Sequence, residues 1–217
     1  MAGFPAVPGA GARVNTPIPT RELERRWAAI RAAMDAAGLD VLLAQANNDF
    51  MGGYVKYLTD LPATNGYVTT VLFFKDEPMT VIGQGAFGMD SILPEEGDGV
   101  RRGVARLMGT PSYASAHYSA AYDAELAARA LERFATGTIG MLGTAAISFA
   151  LIESLRTGAL RGARFVDASD VIDPIKAVKS PDEMVLVRAA AAVQDEAMRA
   201  ALAAVKPGMR ELDVAAV

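Results

Sequence analysis

Apolar positions in this chain alternate between two periods, and the alternation outlines a layered domain. From Thr20, Leu23, Trp27, Ile30 and Met34 step by four, three and four residues, with Arg21, Glu24, Arg25 and Arg31 on the other side. The spacing predicts a helix capped by Thr20 and closed at Gly38. Asp40 to Ala44 is a short, nearly continuous apolar run, the pattern of a strand covered on both faces. A short helix is expected over Asn47 to Leu58, with Asn47 or Asn48 as cap and Gly52-Gly53 weakening its middle. Asp60 to Gly66 reads as a loop, and Tyr67 to Phe74, rich in β-branched and aromatic residues, as a strand. Lys75 to Pro78 then turns the chain into Met79 to Ile82, giving an antiparallel hairpin.

From Gly83 to Thr110 no period survives, because Pro94, Gly97, Gly99 and Gly103 interrupt each one. Order returns with a helix over Tyr122 to Phe134, a strand over Thr138 to Leu142, and a helix capped by Thr144 that ends at Gly158. A strand over Ala163 to Val166 and a short helical turn before Pro174 follow. Helices alternating with short apolar strands imply an α/β fold with a mixed, largely parallel sheet, helices on both faces and one antiparallel hairpin.

The strongest local signal opens at Ser180. Its hydroxyl can cap a helix whose first residue is Pro181, while Glu183 at the third position reaches back. Apolar residues from Met184 to Val205 carry this helix to Lys206-Pro207-Gly208; at 1.5 Å per residue it spans about 35 to 40 Å. Arg210 to Val217 begins a further helix with no closing signal, so the chain is expected to stop inside an element. The domains expected are a Pro/Gly-rich tail over 1–19, an α/β domain over 20–178, and the start of another domain over 179–217.

Composition narrows the function classes. The 217 residues are 52% apolar and 21% charged with a net charge of −4, so no positive field favours nucleic acid as a partner. No cysteine is present, which removes disulfides, thiolate metal sites and a cysteine nucleophile, and suits a cytoplasmic protein. The tail lacks the basic start and apolar core of a signal peptide, and no stretch is apolar enough to span a membrane.

Candidate chemistry is sparse. Gly83 to Gly88 matches a dinucleotide-binding fingerprint, but it follows the second arm of a hairpin and meets Pro94 and two further glycines where a phosphate-binding helix belongs. His117 is the only histidine, and no Gly-x-Ser-x-Gly elbow accompanies it; Ser112, Ser115 and Ser119 read as a polar loop ahead of a helix. Of the acidic pairs, Asp182-Glu183 belongs to a helix start, Asp195 and Glu196 point about 100° apart on a helix, and Glu95-Glu96 has no imidazole partner. Arg101-Arg102 reads as a solvated basic pair. No catalytic or metal-ligating residue is assigned. Asp60, Asn65 and Tyr67, on a loop at a strand end where α/β ligand sites collect, are the substrate-binding candidates, with an ordinary turn as the alternative.

Ile175-Lys176-Ala177-Val178-Lys179-Ser180-Pro181-Asp182-Glu183-Met184, continued by Val187-Arg188-Ala189-Ala190, resembles the linker and first catalytic-domain helix of the creatinase, prolidase and aminopeptidase P group, the pita-bread metallopeptidases. Lys206 to Glu211 is similar to the turn that follows, and the helix to Gly38, the strand over Asp40 to Ala44 and Tyr57-Leu58-Thr59-Asp60 are similar to the amino-terminal domain. The resemblance implies the non-catalytic amino-terminal portion of a Xaa-Pro dipeptidase-like metallohydrolase, supporting dimerisation and the substrate pocket. It further implies two divalent metal ions, manganese or similar, in a catalytic domain beyond Val217, a homodimer, and a small peptide or small-molecule substrate for the longer protein. The Asp60 to Tyr67 loop is the nearest match to the segment that creatinase lends to its partner's pocket, without the arginine found there. The alternatives are the amino-terminal portion of a metal-independent, creatinase-like C–N hydrolase and a stand-alone binding or dimerisation module.

Overall fold

The computed structural model describes residues 17–46, 53–61, 67–94, 99–113, 116–119 and 121–216. Two compact units emerge, one of Leu23–Val178 and one combining Lys179–Val217 with the chain through Glu22.

The larger unit is built on a seven-stranded sheet of order β4-β5-β3-β2-β1-β6-β7. In chain order the strands are β1 (Val41–Ala46), β2 (Thr69–Phe74), β3 (Met79–Gln84), β4 (Asp90–Ile92), β5 (Val104–Thr110), β6 (Thr138–Leu142) and β7 (Arg164–Asp167). The pairs β1–β6, β3–β5 and β6–β7 are parallel, whereas β1–β2, β2–β3 and β4–β5 are antiparallel. Five strands therefore point one way, with only β2 and β4 reversed. The expected hairpin is β2–β3, with Thr70 opposite Ile82.

Strand β1 is central, and all six of its residues are buried, as its unbroken apolar run requires. Parity divides them between two cores. Val41 and Leu43 join Leu72, Phe74, Ile82, Met108 and Ile139 against α3 (Tyr122–Ala130) and α4 (Phe149–Thr157), which supply Ala124, Ala127, Leu151 and Leu155. Leu42 lies opposite Phe73, and Phe73 lies under Arg31 of α1 (Thr20–Ala37), whose guanidinium carbon is 5.0 Å from the ring centre. That second face is closed by Leu23, Ile30 and Met34 of α1, each fully buried, and by α2 (Gly53–Thr59). Full burial of each such side chain contributes about 1.5–3 kcal/mol.

Several expected boundaries change. The aperiodic stretch after Gly83 contains β4 and β5. Their period was hidden because β4 is a three-residue edge strand and β5 carries Arg106, which forms a two-pronged pair with Asp90 of β4 at 2.7 and 2.8 Å. Thr144 does not cap a helix: Thr144–Ala146 is a single 3-10 turn, Ile147 is extended, and α4 starts at Phe149. The helix from Tyr122 ends at Ala130 and is followed by a separate 3-10 turn over Glu132–Phe134. The turn expected before Pro174 is a nine-residue helix, α5 (Ser169–Ala177), with Pro174 inside it. Of the helix expected over Asn47 to Leu58, residues 47–52 lie outside the described residues, as do the tail through residue 16 and Glu95-Glu96.

In the smaller unit α6 runs over Pro181–Ala204 and α7 over Glu211–Ala215. The capping box is present: the Glu183 amide donates to the Ser180 hydroxyl at 3.1 Å, and the Ser180 amide donates to the Glu183 carboxylate at 2.8 Å. Arg21 holds Asp182 with two bonds, at 2.5 and 2.9 Å. Among the described residues no helix is long and apolar enough to cross a membrane.

Candidate functional site

Because five strands share one direction, β1, β3, β5, β6 and β7 end at one edge of the sheet, where β2 begins. Loops leaving that edge are where side chains of an α/β layer can converge. Two polar clusters occupy it.

The first is buried. Gln45 has the inward parity of Val41 and Leu43, so its amide enters the α3 core at the last turn of the ladder. It donates to the Thr70 hydroxyl at 3.0 Å and to the Asp123 carboxylate at 2.8 Å, and it accepts from the Ser148 amide at 2.7 Å. Asp123, in the first turn of α3, is 2% exposed. Burial pushes its carboxyl up from the usual carboxylate range, against the opposing effect of hydrogen bonds from Gln45, the first-turn amides and Ser112. Ser112 and Ser119 are also buried; the Ser112 hydroxyl donates to the Ser119 carbonyl at 2.7 Å, and the Tyr113 amide donates to the Ser119 hydroxyl at 3.0 Å. The Tyr113 ring, 41% exposed, packs on Tyr67 with centroids 5.4 Å apart.

The second cluster lies at the ends of β6 and β7. Asp167 accepts from the Ser169 hydroxyl at 2.6 Å and the Ser169 amide at 2.9 Å, bonds that hold its carboxyl below the usual range. The Tyr54 hydroxyl donates to Asp173 at 2.6 Å, and the Lys176 ammonium sits 3.6 Å from the Tyr54 ring centre. Burial first, and then the bond to Asp173, push the Tyr54 phenol up to about 12. Gly143, with φ of +65°, passes so close to Tyr54 that a Cβ there would lie 2.8 Å from the ring.

Of the three residues expected on one loop, Tyr67 is at this edge and Asn65 lies outside the described residues. Asp60 is at the other end of the sheet. It has a left-handed φ of 58°, and its carboxylate accepts from Arg102 at 2.7 Å, with both side chains about 15% exposed. Arg102 precedes the first residue of β5, whereas Tyr113 follows the last, so the length of β5, about 20 Å, separates the contacts of Asp60 from those of Tyr67. The structure therefore does not bring Asp60 and Tyr67 together. Arg102, read as a solvated basic residue, is instead half of a nearly buried ion pair.

Gln45 and Asp123 escaped the sequence reading, although each carried a signal. Gln45 breaks an apolar run at an inward position. Asp123, Ala127 and Leu131 recur at helical spacing along the buried stripe of α3.

Ser112, beside Asp123, is buried with its hydroxyl 2.7 Å from the Ser119 carbonyl, and Ser169 is bonded to Asp167 in the second cluster; the His117 side chain lies outside the described residues. Gly83 to Gly88 leads from β3 into strand β4, without the helix start a phosphate site needs. Among the described residues no group of three or more His, Cys, Asp or Glu could hold a metal ion.

No protein-family model and no curated protein matches the sequence. Solved structures do match. The prolidase from Pyrococcus horikoshii OT3 aligns with 88% of this chain and 46% of its own, at 20% identity and a TM-score of 0.56. The Xaa-Pro dipeptidase from Bacillus anthracis aligns over the same shares at 17% identity and a TM-score of 0.61. The fold is that of the prolidase amino-terminal domain. The dipeptidase PepE from Mycobacterium ulcerans has it too, with 93% of this chain on 49% of that one, 23% identity and a TM-score of 0.60. The chain thus spans just under half the length of these prolidase-type structures. In this prolidase-type sheet the carboxyl edge of β1, β5 and β6 carries the two polar clusters and the Tyr67–Tyr113 pair.

Proposed function

We propose that this chain is the non-catalytic amino-terminal portion of a Xaa-Pro dipeptidase-like metallohydrolase, in which it supports dimerisation and contributes to the wall of the substrate pocket. The observation that carries the reading is the alignment of 88–93% of the chain with just under half of prolidase, Xaa-Pro dipeptidase and dipeptidase chains. On this reading residues 20–178 form the amino-terminal domain and 179–217 open the catalytic one, a division supported by the separation of the two units at Lys179. Tyr67 and Asn65 are the proposed pocket contacts. Asp60, tied to Arg102, serves the shape of the domain.

Two divalent ions such as manganese belong, in this proposal, to the catalytic domain of the longer protein. The described residues offer no donor set that fits such a pair. The proposed compartment is the cytoplasm, and the proposed substrate of the longer protein is a small Xaa-Pro peptide.

The test is Xaa-Pro dipeptide hydrolysis with added manganese. The 217-residue chain is expected to show no turnover, and the same chain continued through a catalytic domain is expected to turn over until a chelator is added. Turnover by the 217 residues alone overturns the non-catalytic assignment. Chelator-resistant turnover of the longer chain on a C–N substrate moves the assignment to the creatinase-like alternative. Sedimentation of the longer chain as a monomer removes the dimer.

A further inference from the structure

The dimer proposed above needs a seam, and the sheet has two free edges, β4 and β7. At β4 the ladder bonds fix which main-chain groups are open. Leu93 donates to the Ala105 carbonyl and Gly109 to the Met89 carbonyl, each at 2.8 Å, so Met89, Ser91 and Leu93 turn their main-chain groups to β5. Asp90 and Ile92 turn theirs outward, and among the described residues no main-chain partner meets them. The Ile92 side chain is 75% exposed on this edge, and Phe87, just before the strand, is exposed with its ring 5.8 Å from that of Tyr122.

We infer that β4 joins β4 of a second copy in antiparallel register about a two-fold axis at Ser91, so that two seven-stranded sheets run on as one; the inference rests on the proposed dimer and names its seam. The register is self-complementary. Asp90 stands opposite Ile92 of the copy and Ile92 opposite its Asp90, and the two pairs exchange four N–H···O=C bonds, one for each open N–H. The exposed Ile92 side chains share one face of the joined ladder and leave water together.

Charge selects β4 over β7 and a copy of the chain as its occupant. A carboxylate at a sheet edge ordinarily repels a like strand, but Asp90 is held by Arg106 at 2.7 and 2.8 Å. In the two-fold register the two Asp90 residues are diagonal neighbours about 7–8 Å apart, and each brings its own guanidinium, so no bare like charges meet. At β7 Arg164 donates to the Gly137 carbonyl and Ala168 to the Met141 carbonyl, which leaves the main-chain groups of Phe165 and Asp167 facing outward. The same pairing there would set two Asp167 carboxylates on one face. Their side-chain partners, Ser169 and Thr144, are neutral, and the repulsion blocks that edge. Four bonds and two isoleucines bury far less than the about 800 Å² per partner of a stable dimer, so contact through β4 alone is reversible and the rest of the interface belongs to the longer protein.

The chain contains no cysteine, so Ser91→Cys introduces a single thiol per copy. Across the two-fold axis this position forms a non-hydrogen-bonded pair with Cα atoms about 4.5 Å apart, within disulfide range. Under oxidised glutathione the purified Ser91→Cys chain is expected to form covalent dimer about tenfold faster than Arg156→Cys, an exposed control on α4, the gain of a held over a colliding thiol pair. Adding Ile92→Lys to Ser91→Cys places a charge on the seam without touching the core, and is expected to bring the rate down to that of the control at an unchanged melting temperature. Equal rates for Ser91→Cys and Arg156→Cys, a fast rate that survives Ile92→Lys, or recovery of Ser91→Cys from cells as a mixed disulfide with a different protein would each overturn the inference. Sedimentation separates the seam from the dimer: a longer chain that is dimeric without capture at Ser91→Cys loses only the β4 seam, whereas a monomeric longer chain loses both. If Ser91→Cys fails to fold, sedimentation of Ile92→Lys against wild type at rising concentration replaces it, with weaker self-association expected and equal self-association overturning the seam.

Discussion

The side-chain amide of Gln45 lies 2.8 Å from the carboxylate of Asp123, and this bond ties the end of the central strand to the start of α3. Both partners are about 97% buried or more, so neither has water as a substitute. Gln45 also orders the Ser148 turn through its carbonyl, so one side chain joins β1, β2, α3 and the entry to α4.

Replacing Gln45 with leucine should therefore be costly despite the apolar surroundings. The substitution strands the Asp123 carboxylate and the Ser148 amide together, and a loss of about 2–4 kcal/mol is expected. Urea unfolding of the two proteins, with unchanged slope, gives the number. A cost below about 0.5 kcal/mol would mean that water replaces the amide.

Asp60 closes α2 with its amide on the Lys56 carbonyl at 2.8 Å and adopts a left-handed conformation that glycine or asparagine tolerates best. Asp60→Ala meets both the conformational cost and the loss of the Arg102 pair, and about 1–3 kcal/mol of destabilisation is expected. Asp60→Gly loses the pair but gains the conformation. It should be the milder variant, and the difference between the two melting temperatures measures the backbone term.

Gly103 combines a φ of +71° with the closest approach to Trp27, whose ring would lie 2.5 Å from an added Cβ. The Trp27 indole is fixed in turn by donating to the Leu58 carbonyl at 2.7 Å. Gly103→Ala should cost about 2–4 kcal/mol and shift the fluorescence of this lone tryptophan as the ring is displaced. An unshifted spectrum with full stability would show that the turn before β5 yields instead.

Tyr54 gives a pH dependence with a definite sign. Its phenol is raised from 10.0 to about 12 in the folded chain, so the fold binds this proton more tightly than the unfolded chain does. The contribution to stability is complete below pH 10 and disappears as the pH rises through about 12. Tyr54→Phe should be less stable than wild type at pH 8 through the lost bond to Asp173, and the two should converge at high pH. Parallel melting curves for the pair between pH 8 and pH 12 settle whether they do.

Local pattern was enough for much of the architecture. The α1 stripe, the β2–β3 hairpin and the capping box of α6 are set by residues within a few positions of each other, where period and turn chemistry act directly. Strand β5 was invisible for the opposite reason: Arg106 is tolerable in a strand only because Asp90, sixteen residues earlier, lies beside it on β4.

The sequence by itself determined the layered α/β class, the capped helix start at Ser180 and the apolar faces of the central strands, since each follows from spacing along the chain. Tertiary structure alone decided which polar residues meet. It sent Asp60 to Arg102 at one edge and Tyr67 to Tyr113 at the other, and it drew Gln45 and Asp123, 78 positions apart, into one buried bond. Burial of a polar side chain depends on partners brought by other strands and helices, and no local period encodes that.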